Sequence, residues 1–321
     1  MRVYSEDQIR SALKVDYVIP LIHAAFARGF NTVTMPVRTV LNMDDAILLV
    51  MPCYDSALHV AGVKLVSVSK KAGVQAVYEL LDSQTGIARN RMEANYLTDV
   101  RTAATSAVAT DLLARKDAET LGIFGTGRLA TAHLDALPHV RKFKRYLVCG
   151  SGRSDVSAFL GKMKNDLGLD VESVAAETVA RESDVICTCT TSPTPLFDGN
   201  CLRPGTHLNL VGAFQPETRE VDDITVKRAR VVVDTYDGAM QEAGDLLIPI
   251  KNGTIDRAHI VADLHEIAAK KKTVRLHRDD ITLFKSVGCA LEDLTVAFAA
   301  YVQCGRARLK ELSARPLRRP E

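Results

Sequence analysis

The chain has no cysteine pair at CxxC spacing, no internal repeat, no low-complexity tract and almost no net charge. No apolar run reaches the roughly 18 residues that span a bilayer, so no membrane segment is expected. The seven cysteines, at 53, 149, 187, 189, 201, 289 and 304, are odd in number and scattered through apolar segments. That argues against a disulfide framework, and Cys187-x-Cys189 is too tightly spaced for a zinc knuckle. Free thiols in a reducing, cytoplasmic compartment are the expectation. No other group of histidines, cysteines or carboxylates has ligand spacing, so no metal is expected. A formal net charge of +2 gives no field that would draw the protein to nucleic acid or an anionic membrane. The stretch MRVYSEDQIRSALK is polar and helical in period, unlike a secretory signal. The tail Arg315–Pro320 reads as a frayed end.

What is present is an ordinary globular composition over 321 residues, with 47% hydrophobic and 25% charged, enough for about two domains. Residues 5–29 read as helix, with Ser5 as cap. TMPVRTVL, AILLVMPCY, LHVAGVKLVSV and VQAVYELLD read as strands between 34 and 82. Residues 91–115 return to helix. From 121 onward, strands (LGIFG, RYLVCG, VESV, DVICTCT, HLNLVG, RVVVD) alternate with helices, the pattern of a parallel sheet with right-handed crossovers. After Ile267 the chain reaches a loop at 284–290 and a long helix from about 291 to 313. The expected fold is α/β: a mixed unit over 1–115 and a Rossmann-type doubly wound unit over 116–290.

The most informative segment is Leu121-Gly-Ile-Phe-Gly125-Thr-Gly127-Arg-Leu-Ala130. Its GxGxxA form follows an apolar strand and opens a helix. Gly125 permits the tight turn, Gly127 lets a pyrophosphate approach the backbone, and Ala130 keeps the helix close to the sheet. Free N–H groups and the helix dipole would hold the phosphates. The second strand ends Cys149-Gly150-Ser151-Gly-Arg153-Ser154, without the acid that NAD-specific folds place at the ribose. Ser151, Arg153 and Ser154 suit a 2′-phosphate, which favours NADP(H) over NAD(H). Asp155 looks like a first-turn helix residue.

Five segments in order carry a family resemblance: Arg101-Thr-Ala-Ala-Thr-Ser106, GIFGTGRLATAHLDAL, PGTHLNLVG ending at Gly212, Arg219-Glu220-Val-Asp222, and FKSVGCALED from Phe284 to Asp293. Together they resemble the ornithine cyclodeaminase/mu-crystallin family. The resemblance implies a homodimer. It also implies a substrate-binding and dimerisation domain made from 1–115 plus 291–321, with the Rossmann domain between. The family includes ornithine cyclodeaminases, archaeal alanine dehydrogenases, ketimine reductases and the non-catalytic role of mu-crystallin.

Such substrates are small amino or imino acids, and a carboxylate in a dry cleft needs a fixed cation. By resemblance, Arg38 and Arg101 hold that carboxylate. Lys64 lies inside an apolar strand, where a charge is costly unless paired, and matches the family's active-site lysine. Its task by that match is to hold the substrate carboxylate or to guide protonation at the imine nitrogen, and beside two arginines its pKa should fall, as a proton donor near neutral pH requires. The same resemblance assigns Arg128, Leu129, Thr188, Thr190, Val211, Gly212 and Ser286 to the cofactor, and Val287 to the substrate. Where the cyclodeaminases carry an aspartate two residues after the VG glycine, this chain has Phe214. Phenylalanine cannot pair with an ammonium ion, whereas its apolar ring suits a cyclic imine. The resemblance therefore points to reductases of Δ1-pyrroline-2-carboxylate and Δ1-piperideine-2-carboxylate. His133 and His207 read as packed, structural histidines.

Overall fold

The computed structural model describes residues 2–69, 71–152 and 155–313. Arg153, Ser154 and the tail Arg315–Pro320 lie outside the described residues. Contacts divide the chain into two compact units, one of Met1–Leu21, Phe30–Arg101 and Ala290–Glu321, the other of Ile22–Gly29 and Thr102–Cys289.

The first unit begins with β1 (Arg2–Tyr4) and α1 (Glu6–Ala12), which a Ser5/Gln8 capping box starts. The expected single helix over 5–29 is two: α1 ends where Leu13 turns extended, and α2 (Val15–Arg28) follows. The expected strand over 34–41 also breaks, into β2 (Val33–Thr34) and β3 (Thr39–Asn42), with Pro36 between them. Proline has no N–H to give a ladder. Then come β4 (Ala46–Asp55), β5 (Val60–Ser69), β6 (Gly73–Asp82) and β7 (Ala88–Glu93). Residues 91–93, expected as helix, belong to β7, because pairing with β6 and β1 outweighs local helix preference. The sheet runs β1-β7-β6-β5-β4-β2, with β3 also on β4; all of these pairs are antiparallel except β1–β7.

Alternation along the three long strands makes two faces. One is buried and carries Met51 and Cys53 from β4, Lys64 and Val66 from β5, and Tyr78 and Leu80 from β6. The C-terminal helix Ala290–Ser313 packs against β4, β5 and β6. The opposite face is half-buried and largely apolar, with Leu48, Val50 and Pro52, then Val63 and Leu65, then Val77 and Leu81, and with Glu79 between the last two.

The second unit continues from α3 (Asn95–Leu113) into β8 (Thr120–Phe124), α4 (Arg128–Ala136), β9 (Arg145–Cys149), α5 (Val156–Leu167), β10 (Val171–Ser173), α6 (Ala176–Glu182), β11 (Val185–Thr188) and β12 (His207–Leu210). It then holds α7 (Asp223–Arg228), β13 (Ala229–Val233), α8 (Tyr236–Glu242), α9 (Gly244–Lys251), β14 (Ile260–Asp263), α10 (Leu264–Ala268) and β15 (Ile281–Lys285); the C-terminal helix is α11. Its eight strands are all parallel, in the order β10-β9-β8-β11-β12-β15-β13-β14. This is an α/β fold with a parallel, Rossmann-type sheet. The expected loop over 284–290 starts later, at Ser286, because 281–285 form the strand that joins β12 to β13. His133 and His207 are fully buried, each hydrogen-bonded within this unit.

Candidate active site

In the first unit, β5 presents Lys64 to the buried face and α11 supplies its partner from the far end of the sequence. Lys64 Nζ donates to Asp293 Oδ1 at 2.7 Å, with both side chains at or below 1% exposure. Arg101, the last residue of that unit's middle segment, donates to Glu292 Oε2 at 2.7 Å, and its Nε lies 3.0 Å from Asp293 Oδ1. One carboxylate oxygen thus stands between two cations. Burial, then the Arg101 charge, pushes the Lys64 pKa down; Asp293 opposes them, Arg38 adds to the fall, and the result is about 8. Arg38 is half-buried, on the link between β2 and β3. Both arginines named from sequence therefore lie within electrostatic reach of Lys64. Tyr78, directly opposite Lys64 on β6, has its hydroxyl buried without a hydrogen-bond partner, as does Asp293 Oδ2. Burial first, then Asp293, holds the Tyr78 hydroxyl well above its usual pKa.

In the second unit, Gly125 sits at φ +105, and a Cβ there would stand 2.6 Å from the Cys189 carbonyl oxygen. Only glycine fits this turn. Gly127 starts α4 with no side-chain cap, is exposed, and has open space where a Cβ would be. The uncapped N–H groups and that space fit a pyrophosphate. Ala130 is fully buried, Arg128 exposed and Leu129 half-buried. Ser151 is exposed just beyond β9, and the Asp155 carboxylate caps α5 by accepting the Ala158 N–H at 2.9 Å.

The ends of β11 and β12 are tied together by one fully buried carboxylate. Glu220 accepts from Thr188 Oγ1 at 2.7 Å, from Thr190 N and Oγ1 at 2.8 and 2.7 Å, and from the Gly212 and Ala213 N–H groups at 2.8 and 3.2 Å. Asp245 in turn accepts the Glu220 N–H at 2.7 Å and lies 2.8 Å from the buried Lys285 ammonium. Burial, with Asp245 beside it, raises the Glu220 pKa. Val211 is buried between these anchors. Phe214 is half-buried and packs on the apolar core of this unit. Asp234 orders the loop after β15: it accepts from Ser286 Oγ at 3.0 Å and from the Val287 and Gly288 N–H groups at 2.8 and 2.7 Å.

A family model described as the ornithine cyclodeaminase/mu-crystallin family matches residues 2–306. The chain belongs to this family. It is similar to a Δ1-pyrroline-2-carboxylate reductase of Colwellia psychrerythraea, 33% identical, with 92% of this chain and 97% of the relative covered. It is also similar to the solved Thermococcus litoralis Δ1-pyrroline-2-carboxylate reductase, in complex with NADH and L-proline: 34% identity, TM-score 0.93, 96% of this chain and 98% of that one. An archaeal alanine dehydrogenase, solved as a dimer with bound NAD, superposes with a TM-score of 0.90 at 27% identity, over 96% of this chain and 97% of that one.

Within this family frame, the sequence reading named the cations and the glycines but gave no role to the acids that hold them. Glu292 and Asp293 stood in the quoted segment FKSVGCALED, and Glu220 in REVD. Asp234 closes the strand RVVVD. For Glu292, Asp293 and Asp234 the signal was an acid set directly against an apolar run, where an ionised group needs a partner; Glu220, in a charged stretch, gave none. The partner's identity lay too far along the chain to be read. No group of three or more metal-ligating side chains occurs among the described residues.

Proposed function

We propose that this chain is an NAD(P)H-dependent reductase of cyclic ketimines, converting Δ1-pyrroline-2-carboxylate and/or Δ1-piperideine-2-carboxylate to L-proline or L-pipecolate. The observation that carries the reading is the buried Lys64–Arg101 pair with the Arg38 charge acting on it, in a chain so similar to a reductase solved with NADH and L-proline. Arg38 and Arg101 suit a substrate carboxylate, since a guanidinium offers a planar fork of donors. When bound, the nicotinamide would supply hydride, and Gly125, Gly127, Arg128, Leu129, Thr188, Thr190, Val211, Gly212 and Ser286 are the residues that would hold that cofactor. As hydride reaches the imine carbon, the C=N π pair moves to nitrogen. Lys64 Nζ gives a proton to that nitrogen, and the neutral amine left on Lys64 regains one from water. A lysine brought to about 8 by its surroundings is matched to that task. Phe214 and Val287 supply the apolar contact for the ring methylenes.

NADPH is the favoured coenzyme in this reading. The acid nearest the end of β9, Asp155, is engaged as a helix cap, which leaves the ribose 2′-phosphate unopposed. The largely apolar, half-buried face of the seven-stranded sheet supports a homodimer formed through it, as does the likeness to a dehydrogenase solved as a dimer. None of the seven cysteines is joined in a disulfide, which supports a reducing, cytoplasmic setting. The test is to mix enzyme with each cyclic imine and with NADPH or NADH, and to follow the loss of nicotinamide absorbance. No loss with any combination sinks the reading.

A further inference from the structure

We propose that Asp293 is a positioning residue of this site, whose carboxylate is the shared counter-ion that keeps Lys64 in its ammonium form and holds it beside Arg101. The inference rests on the ketimine-reductase reading, which gives Lys64 a proton to deliver. Geometry is the ground for it. Asp293 Oδ1 is 2.7 Å from Lys64 Nζ and 3.0 Å from Arg101 Nε, and all three side chains are buried. Two cations in one dry pocket repel each other, and only an anion between them makes the pair tolerable. Glu292 takes the other side of Arg101 at 2.7 Å, so Arg101 has a second acid, whereas among the described residues Asp293 is the one ion-pair partner of Lys64. Arg38 from the β2–β3 link also acts on Lys64, Tyr78 stands opposite it on β6, and Cys53 of β4, on the same buried face, feels the charges of Asp293 and Asp55. Burial holds the Cys53 thiol up at about 12 and keeps Tyr78 well above its usual value. Both stay neutral near pH 8, so neither replaces the aspartate.

The roles are separable by pH. A lysine that must be protonated makes the rate fall as pH rises through its pKa. Wild-type kcat for Δ1-pyrroline-2-carboxylate at saturating NADPH should therefore fall tenfold per pH unit above about 8. Asp293→Asn removes the charge that favours the ammonium form, so this basic limb should move at least one unit lower. The rate at pH 6 should keep at least a tenth of its wild-type value. Asp293→Glu keeps the charge and should bring the limb back to within half a unit. If Asp293→Asn scales the rate equally at every pH, Asp293 only supports the fold and the proposal is overturned. Should Asp293→Asn fail to fold, the wild-type profile still decides: a rate flat to pH 10 overturns the proposal. Absence of wild-type turnover at every pH is a different result, since it removes the reductase reading and this inference with it.

Discussion

Gly212 donates its backbone N–H to Glu220 Oε2 at 2.8 Å, and a Cβ on Gly212 would stand 2.4 Å from Glu220 Oε1 and 2.2 Å from the Thr190 carbonyl oxygen. The glycine and the acid are fitted to each other. Gly212→Ala should therefore destabilise the protein by about 1–3 kcal/mol, the usual cost of forcing atoms into a packed site. It should also weaken NADPH binding at least tenfold, because the ends of β11 and β12 can no longer close on one carboxylate. Thermal unfolding and a fluorescence titration with NADPH read the two effects. An unchanged dissociation constant would show that this hub does not shape the cofactor site.

Coenzyme choice gives a second expectation. Ser151 is exposed just past β9, where an acid would accept the ribose hydroxyls of NAD and repel a 2′-phosphate. Ser151→Asp should raise KM for NADPH tenfold or more and leave KM for NADH within threefold. Equal effects on both would place the 2′-phosphate elsewhere.

Two buried histidines predict acid sensitivity. Burial holds His133 at about 4, and burial together with the Arg275 charge holds His207 at about 3, against an ordinary 6.5. The unfolded chain binds protons that the folded chain refuses, so stability is complete above pH 6.5 and falls as pH drops toward 4 and 3. At pH 5 each histidine costs about 2 kcal/mol. Urea unfolding at pH 7 and pH 5 should show that loss, and His133→Gln should lose about 2 kcal/mol less between the two pH values than the wild type does. Equal losses would remove His133 as a source.

Phe214 links fold and specificity. It is half-buried against the nucleotide unit's core, so Phe214→Ala should cost about 1–3 kcal/mol, less than a fully buried phenylalanine. It should raise KM for the cyclic imines severalfold while KM for NADPH stays put. A KM change confined to NADPH would assign the ring to the cofactor.

The alternating texture from residue 121 onward made the parallel sheet legible, and GIFGTGRLA made the nucleotide turn legible, because both are local patterns. Lys64, Arg38 and Arg101 stood out as charges in apolar or small-residue company. What could not be read was pairing at a distance. Nothing near Lys64 names an acid 229 residues away, and nothing in Thr188, Thr190 or Gly212 names Glu220 as their common acceptor. The short strands β1 and β7 were missed for the same reason, since their pairing comes from partners rather than from propensity. The strand β15 was missed, and its last two residues were placed in the loop over 284–290, because ITLFK is brief and follows a polar stretch.

That late strand has a consequence for how the chain is made. Among the described residues, β15 is the one strand that bridges the ladder β10-β9-β8-β11-β12 and the pair β13-β14. During synthesis both pieces must wait, each with one inner strand edge unpaired, until residues 281–285 emerge. Chains that stop before Ile281 should expose two open edges, a setting for aggregation. An interior strand of the larger sheet is the last part of it to be translated, and the sheet's completion follows the order of the ribosome rather than the order of the strands in space.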